Sequence, residues 1–352
     1  MLTKVYTASI QGIDAFPVTI EADGGNGATF TIVGLPDAAV RESLQRMVAA
    51  INHSGIKFPH RATTINLAPA DVKKEGAAFD LPMAIGVLTC HNIVEAPDLA
   101  DYMIMGELSL DGSVLPVRGA LPMAIKAREM GFKRIIVPEA NVTEAAVVNK
   151  VEVFGVKTLT EAIEIITGTS AISPTCINTR EIFAAESSSF DFDFSEVKGQ
   201  ESVKRAFEVA CSGGHNILLI GPPGAGKSMM AKRLPSILPP LSLGEALETT
   251  KIHSVAGKLS KGSMLMTRRP FRTPHHTVSP VALVGGGSSP MPGEISLAHN
   301  GVLFLDEFPE FPRQVLEVMR QPIEDRVITV ARAKYTVNYR KTFHRNKSRK
   351  PI

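Results

Sequence analysis

The chain has 352 residues, 44% of them hydrophobic, which is enough to bury the cores of two or three ordinary domains. It has no run of eighteen apolar residues, no secretory signal pattern and only three, widely spaced cysteines, which argues against a spanning helix or a disulfide framework and favours the reducing cytoplasm. The net charge is +3, but the last thirteen residues carry six Lys or Arg and no acid, so the overall charge does not predict nucleic-acid binding.

Residues 1–168 are predicted to form one α+β domain. Apolar residues recur at helical spacing from Asp37, a favourable N-cap, to Ser54, and Gly55 is a favourable stop. Asp80 is predicted to cap a second helix. The other predicted elements are strands at 5–10, 17–22, 28–34, 62–67, 134–138 and 151–156 and helices at 120–130 and 160–167.

Residues 169–195, with several serines and weak periodicity, are predicted to be a linker. A second domain of α/β type is expected over residues 196–339, followed by a divergent basic tail at 340–352. Its predicted elements are a helix at 202–214, strands at 216–220 and 301–306 on either side of a loop-rich region at 250–296, a helix at 313–324 and a β-rich stretch at 327–339.

The sequence GPPGAGKS fits the phosphate-binding pattern GxxxxGK[ST] at every position and lies between a predicted strand and a predicted helix. Its glycines let backbone N–H groups point at phosphate oxygens, beside the positive end of the following helix. Lys227 is expected to reach the β- and γ-phosphates of ATP, and Ser228 to bind Mg²⁺. A chance glycine turn is the alternative. The predicted phosphate-site residues are Gly221, Pro222, Pro223, Gly224, Ala225, Gly226, Lys227 and Ser228.

An acidic pair ends the apolar stretch GVLFLDEF, about eighty residues after the phosphate loop. Asp306 is predicted to hold Mg²⁺, and Glu307 to polarise the attacking water, so that Glu307 and Lys227 carry the reaction. Acidic pairs at strand ends are usually just solvated, and this is the alternative. The position after a phosphate loop favours an ATP site.

Two stretches, RPFRTPHHTVSPVALVGGG and PGEISLAHNGVLFLDEFPEF, resemble the magnesium-chelatase-like AAA+ proteins of the YifB/ComM group. The resemblance runs from the N-terminus to about Tyr339. It implies a hexameric, ATP-driven motor that acts on branched or single-stranded DNA, since the competence-associated member of the group is a branch-migration helicase. It also implies that Val197, Gly199 and Gln200, in the segment VKGQ, lie against the adenine.

Residues 1–168 resemble the proteolytic domain of Lon proteases, in the stretches VKKEGAAFDLPMAI and GELSLDGSVLPVRGALPMAIKAREMGFKRIIVPEAN. Aligned residue by residue, the positions of the Lon serine and lysine fall on Ala78 and Met123. A Ser–Lys dyad needs a hydroxyl and an amine, so the resemblance implies the fold without peptidase chemistry. Lys73 and Lys74 are interpreted as a solvated turn rather than as a substitute base.

The segment RRPFRTPHH alternates cations and rings, namely Arg268, Arg269 and Arg272 with Phe271, His275 and His276. This mixture suits contacts with phosphates and stacking on bases. The alternatives are that the arginines grip a neighbouring subunit and that the histidines cap a loop. Zinc binding by the two histidines is not favoured, because no further ligand lies at a useful spacing.

The tail RKTFHRNKSRKPI departs from the group's pattern and suggests a shifted reading frame or a truncation. A short arm that binds nucleic acid or a membrane surface is the alternative. If the group's next strand is missing, the strands that carry the phosphate loop and Asp306 lose their shared neighbour. The sensor asparagine, arginine finger and helical lid that the resemblance implies are expected to be missing too, and turnover to be impaired.

These observations predict a cytoplasmic AAA+ ATPase that uses ATP and Mg²⁺ and acts on DNA. An incomplete AAA+ domain follows the Lon-like domain, and no membrane partner is expected. A metal-insertion motor of the magnesium chelatase type is one alternative, disfavoured because chelatase motor subunits generally lack a Lon-like domain. A non-catalytic chain that binds ATP or assembles with longer partners is the other.

Overall fold

The computed structural model describes residues 1–186, 192–259, 264–286, 291–324, 327–332, 335–340 and 344–349. The chain divides into two compact units. Unit 1 comprises Met1–Asn178 and Leu259–Met264, and unit 2 comprises Thr179–Lys258 and Leu265–Ile352. None of the helices within the described ranges is long and apolar enough to cross a membrane.

Unit 1 contains nine strands and five helices among its described residues. The strands are β1 (Leu2–Gln11), β2 (Asp14–Gly24), β3 (Phe30–Val33), β4 (Thr63–Ala68), β5 (Tyr102–Ile104), β6 (Glu107–Leu108), β7 (Val114–Leu115), β8 (Arg134–Pro138) and β9 (Glu152–Val156). The helices are α1 (Ala38–His53), α2 (Asp80–Cys90), α3 (Ala120–Glu129), α4 (Val142–Ala145) and α5 (Leu159–Thr167). The predicted α+β pattern of this part of the chain is therefore confirmed.

Seven of these strands form one mixed sheet in the order β3-β4-β2-β1-β5-β8-β9. The β1–β2 and β2–β4 pairs are antiparallel, and the other pairs are parallel. Helix α2 is buried along its whole length because it is apolar on every side. At Gly86 an added Cβ would lie 3.3 Å from the Cβ of Ala22 on β2, so the glycine allows α2 to pack closely on the sheet.

Helix α1 begins as predicted, since the Asp37 carboxylate accepts a hydrogen bond of 2.8 Å from the Val40 amide. The prediction that Asp80 caps α2 is wrong, because Asp80 is the first residue of the helix and makes no cap hydrogen bond. Its carboxylate is fully buried and instead accepts hydrogen bonds from Ser43 and Arg46 of α1, at 2.5 and 2.6 Å. The Arg46 guanidinium compensates the buried negative charge, and the Leu108 amide donates a further hydrogen bond of 3.3 Å to Oδ2 of Asp80.

Unit 2 contains eight strands and eight helices among its described residues. The helices are α6 (Thr179–Glu186), α7 (Glu201–Gly213), α8 (Lys227–Arg233), α9 (Leu243–Val255), α10 (Pro280–Val284), α11 (Glu294–Leu297), α12 (Arg313–Val318) and α13 (Arg320–Glu324). The strands are β10 (Ile217–Ile220), β11 (Phe271–Arg272), β12 (Gly285–Gly286), β13 (Met291–Pro292), β14 (Val302–Leu305), β15 (Val327–Arg332), β16 (Tyr335–Arg340) and β17 (His344–Arg349). Helix α6 lies in the stretch predicted to be a linker.

The central sheet of unit 2 is parallel, in the order β10-β17-β14-β11. Strand β17 pairs with β10 on one side and with β14 on the other, for example through Asn346, which is opposite both Ile217 and Phe304. The expectation that the strand between β10 and β14 is missing is therefore wrong. The basic tail itself supplies that strand, so the structural reason for impaired turnover no longer holds.

In the core of unit 2, the segment before α7 packs against α8, the helix that follows the phosphate loop. Phe194 and Val197 are buried against Phe207 of α7, Met230 of α8 and Val302 of β14 in one apolar cluster. The rings of Phe194 and Phe207 meet edge to face at 5.8 Å. This cluster fixes α8, and with it the end of the phosphate loop, against the sheet.

Candidate nucleotide site

The phosphate loop lies between β10 and α8, as predicted. Gly224 and Gly226 both have φ of +78°, a left-handed conformation that favours glycine. An added Cβ at Gly224 would meet no atom within 4 Å, so the backbone angle rather than crowding explains the glycine there. The turn is closed by a 3.4 Å hydrogen bond from the Ala225 amide to the Pro222 carbonyl.

Lys227 is the first residue of α8 and folds back over the loop. Its ammonium group donates hydrogen bonds of 2.9 Å to the carbonyls of Gly221 and Pro222. An ammonium group has three N–H donors, so a further acceptor can be bound beside these two carbonyls. The contacts keep the charge of Lys227 at the loop.

The phosphate loop and the acidic strand end meet directly. The hydroxyl of Ser228 donates a 2.8 Å hydrogen bond to Oδ2 of Asp306. Asp306 follows β14, whose four residues are all buried, and its Oδ1 accepts a 3.0 Å hydrogen bond from the Glu307 amide. Hydroxyl and carboxylate oxygens are ligands that Mg²⁺ binds together with waters and phosphate oxygens. These two groups are close enough to bind one ion.

Glu307 adopts an unusual backbone conformation for its residue type. Its φ and ψ of 52° and 46° lie in the left-handed region, where residues other than glycine are uncommon. Its carboxylate Oε2 lies 3.8 Å from Nδ1 of His276. The two acids of the pair therefore have different surroundings, although they are adjacent in sequence.

The segment predicted to face the adenine lies beside the phosphate loop. Val197 is buried in the core, and Gly199 and Gln200 both have positive φ, of 68° and 57°. The side-chain amide of Gln200 donates a 3.4 Å hydrogen bond to the carbonyl of Ala225. The structure thus places the VKGQ segment beside the GPPGAGKS loop.

Two of the three arginines of the segment RRPFRTPHH are held inside the unit. The guanidinium of Arg269 donates to the carbonyls of Pro239 and Asn300, at 2.5 and 2.7 Å. Arg272 forms a bidentate pair with Glu294, with both distances 2.7 Å. These pairings assign Arg269 and Arg272 to the packing of unit 2, which a local sequence pattern could not reveal because the partners lie at least twenty residues away.

The positions of the Lon dyad are apolar in unit 1, and the adjacent lysines differ. Met123 is buried, and the Ala78 carbonyl accepts a 3.1 Å hydrogen bond from Gly106. Lys73 is exposed and pairs with Glu75 at 2.7 Å, as expected for a solvated turn. The same interpretation of Lys74 is wrong: it is fully buried, its ammonium donates to the Pro69 carbonyl, and burial lowers its pKa despite the nearby charge of Asp71.

Two family models match the chain. The model described as magnesium chelatase, subunit ChlI, matches residues 193–347, and that described as subunit ChlI of Mg-chelatase matches residues 18–141. The GxxxxGK[ST] loop on a parallel sheet and these two matches place the chain among the magnesium-chelatase-like proteins. The first match ends at residue 347, eight residues beyond Tyr339, near which the resemblance was expected to end.

Known relatives specify the group. YifB of Salmonella typhimurium is 42% identical over 339 residues, and the competence protein ComM of Haemophilus influenzae is 40% identical over 340 residues. Each alignment covers 96% of this chain and 66% of the relative. The chain belongs to the YifB/ComM group of magnesium-chelatase-like proteins, and it spans about two thirds of the length of these relatives.

A shorter similarity relates the chain to a protease. A stretch of 111 residues, 32% of this chain, is 35% identical to an archaeal Lon protease from Methanocaldococcus jannaschii and covers 17% of that protein. The similarity agrees with the Lon resemblance of the sequence. The similarity does not indicate peptidase activity, because that activity depends on the residues at the dyad positions.

Proposed function

We propose that unit 2 binds ATP with Mg²⁺ and hydrolyses it. The hydrogen bond between Ser228 and Asp306 is the observation that carries this proposal. It brings together a phosphate-loop hydroxyl and a strand-end carboxylate that are far apart in sequence. In phosphate-loop enzymes this pair of groups holds the metal ion of the nucleotide.

Each of the predicted site residues has a proposed role in binding or hydrolysing ATP. The backbone N–H groups of Gly224, Ala225 and Gly226 and the Lys227 ammonium bind the phosphates, Pro222 and Pro223 shape the loop, and Val197, Gly199 and Gln200 bind the base. Ser228 and Asp306 would hold Mg²⁺, which would supply charge neutralisation for the bound phosphates. Glu307 orients and polarises a water molecule through its carboxylate, as a general base does when it lies within hydrogen-bonding reach.

We further propose that the ATPase acts on branched or single-stranded DNA as a cytoplasmic, homo-oligomeric motor of the AAA+ class. The membership in the YifB/ComM group supports this, because one relative is a competence protein. Of the arginines first considered for DNA contact, Arg269 and Arg272 are paired within unit 2. The DNA contact is therefore not assigned to these two side chains.

The test is phosphate release by the purified 352-residue chain with MgATP, with and without forked DNA, against Lys227→Ala. ATP-dependent release that rises with forked DNA and is lost in Lys227→Ala supports both parts of the proposal. Phosphate release that forked DNA does not stimulate supports the proposed ATPase activity and rejects the proposed action on DNA. Binding of ATP without any release rejects hydrolysis and favours a non-catalytic role.

Metal insertion is the second candidate function, because both matching family models carry a magnesium chelatase description. It predicts ATP hydrolysis that is stimulated by a porphyrin-bearing partner and is indifferent to DNA. Running the same phosphate-release assay with a porphyrin-loaded chelatase partner in place of forked DNA separates the two candidates.

A further inference from the structure

Three chain segments without an acidic residue meet at the end of the unit 1 sheet where β3 and β4 begin. They are residues 24–36, 43–70 and 81–94. The Gly25 amide donates a 2.8 Å hydrogen bond to the Ala62 carbonyl and so joins the first segment to the second. A 2.8 Å contact between Nε2 of His91 and the hydroxyl of Thr63 joins the third segment to the second. No residue of these segments therefore supplies a negative charge to the cations at this end of the sheet.

Lys57 and Arg61 are exposed cations in the second of these segments. Among the residues that the structure describes, no carboxylate lies within 4.0 Å of either side-chain cation. Other exposed lysines of unit 1 do have such partners, namely Lys4, Lys73, Lys133 and Lys157. The acid that precedes the first segment, Asp23, lies 3.8 Å from the N-terminal ammonium group. Two close cations without an acidic partner attract phosphate groups from solution.

An exposed ring lies between these two cations in the sequence. The ring of His60 is exposed and lies 5.8 Å, edge to face, from the buried ring of Phe58. Phe58 is itself packed at 6.3 Å from Phe30, the first residue of β3. The contact with Phe58 gives the imidazole a support inside the core while it remains open to solvent. Rings that alternate with cations are typical of surfaces on which bases stack while the cations bind phosphates.

The loop that leads into β3 leaves room beside Arg61. Residues 25–29 are all exposed and hold no acidic or large apolar side chain. Added Cβ atoms at Gly25 and Gly27 would lie 3.8 and 3.6 Å from the Cβ of Ala62, so the loop packs directly against the residue that follows Arg61. A strand of nucleic acid can approach a loop of this kind closely, and exposed backbone N–H groups can donate to its phosphates.

We propose that Lys57, His60, Arg61 and the loop of residues 25–29 form a binding surface for single-stranded DNA on unit 1. Lys57 and Arg61 bind phosphates, and His60 stacks on a base. A single strand fits this surface better than a duplex does, because a ring can stack only on a base that has left its neighbours. The inference rests on the proposed action on DNA and assigns a contact surface to it.

The experiment measures the affinity of the full chain for a fluorescein-labelled oligothymidine by fluorescence anisotropy at several salt concentrations. Each phosphate contact contributes about 0.7 to the slope of log K against log salt concentration for a single strand. We expect Lys57→Ala/Arg61→Ala to lower this slope by about 1.4 and to weaken binding at 0.1 M salt by roughly ten- to thirtyfold. His60→Ala should weaken binding by roughly fivefold and leave the slope unchanged, because stacking releases no counterions.

Arg128→Ala/Lys150→Ala is the matched control, since it removes two exposed cations elsewhere in unit 1. It should change neither the affinity nor the slope. Lys57→Gln/Arg61→Gln, which keeps most of each side chain's length, replaces the alanine variant if that variant has a lower Tm than the unaltered chain. The same loss of affinity and slope is expected for it.

The outcomes separate this inference from the proposed function. If the unaltered chain binds the oligonucleotide and Lys57→Ala/Arg61→Ala binds it equally tightly, or no more weakly than the control, only the inference is overturned. If the unaltered chain does not bind the oligonucleotide but forked DNA stimulates its phosphate release, the inference is again overturned and the proposed function stands. If DNA neither binds nor stimulates release, both are rejected. An equal loss of affinity for a blunt duplex, with no effect of His60→Ala, overturns the assignment to single strands.

Discussion

Charged residues that are close in the sequence of this chain differ in burial and in hydrogen-bonding partners. Lys73 is exposed and paired with Glu75, whereas Lys74 is fully buried and bound to the Pro69 carbonyl. Arg269 and Arg272, which resemble phosphate ligands in the sequence, donate to carbonyls and to Glu294. At the scale of the residue, burial and partners decide whether a cation is structural or available to a ligand.

Lys74 makes the stability of unit 1 depend on pH in a defined direction. Burial lowers its pKa in the folded chain below the ordinary value of 10.5, so between the two values the unfolded chain binds more protons. This contribution to the free energy of unfolding therefore rises with pH through that window and falls as the pH is lowered. We expect Lys74→Met to abolish this pH-dependent contribution.

Urea unfolding of the unaltered chain and of Lys74→Met at several pH values between 7 and 10.5 measures the effect. The stability of the unaltered chain relative to Lys74→Met is predicted to increase with pH. Lys73→Met, at the exposed neighbouring position, is the matched control for the loss of one lysine. A pH-independent difference for Lys74→Met would refute the assigned burial.

At the scale of the element, β17 holds the two strands that carry the nucleotide motifs. It pairs with β10, which leads into the phosphate loop, and with β14, which leads to Asp306. A central parallel strand satisfies the backbone groups of both neighbours. The separation of Ser228 and Asp306 therefore depends on a strand that lies outside both motifs.

Removing residues 341–352 is predicted to expose β10 and β14 and to weaken MgATP binding. Amide hydrogen exchange at residues 217–220 and 302–305 should accelerate, because these strands lose a hydrogen-bonding neighbour. Removing only residues 350–352, which follow β17, is the control and should change neither quantity. Unaltered protection in the longer deletion would mean that β17 does not hold the sheet together.

The sequence predicts some of these elements and not others, for physical reasons. Strands β10 and β14 are apolar runs that lead into glycine or acidic residues, so their existence and their motifs could be predicted from local pattern. Strand β17, with the sequence HRNKSR, has no apolar or β-branched residue, and it forms because strands on both sides supply partners. The contact of His276 with Glu307 depends on strand order, which no local pattern contains.

At the scale of the whole molecule, the two units have separate cores. The large apolar cluster of unit 1 lies entirely within residues 5–172, and an apolar cluster of unit 2 lies within residues 194–302. A unit with its own core can fold alone. This organisation predicts that unit 1 can be studied apart from the nucleotide site.

A fragment of residues 1–178 is predicted to unfold cooperatively and to have no peptidase activity. Its seven-stranded sheet is complete, and Ala78 and Met123 provide neither a nucleophile nor a base at the positions of the Lon dyad. Circular dichroism on heating tests the folding, and labelling by a serine-directed fluorophosphonate tests the chemistry. Specific labelling that disappears when a nearby serine is mutated would show that another residue has taken over the reaction.

The central claim is that Lys227, Ser228 and Asp306 form a MgATP site, and its most direct test is the affinity of the full chain for MgATP by isothermal titration calorimetry. We predict that Lys227→Ala weakens binding by roughly ten- to a hundredfold, because a charged hydrogen bond contributes about 1.5–3 kcal/mol. Glu307→Gln should bind as tightly as the unaltered chain, since Glu307 acts on the water and not on the metal. No binding by the unaltered chain, or an equal loss in both variants, would contradict the account.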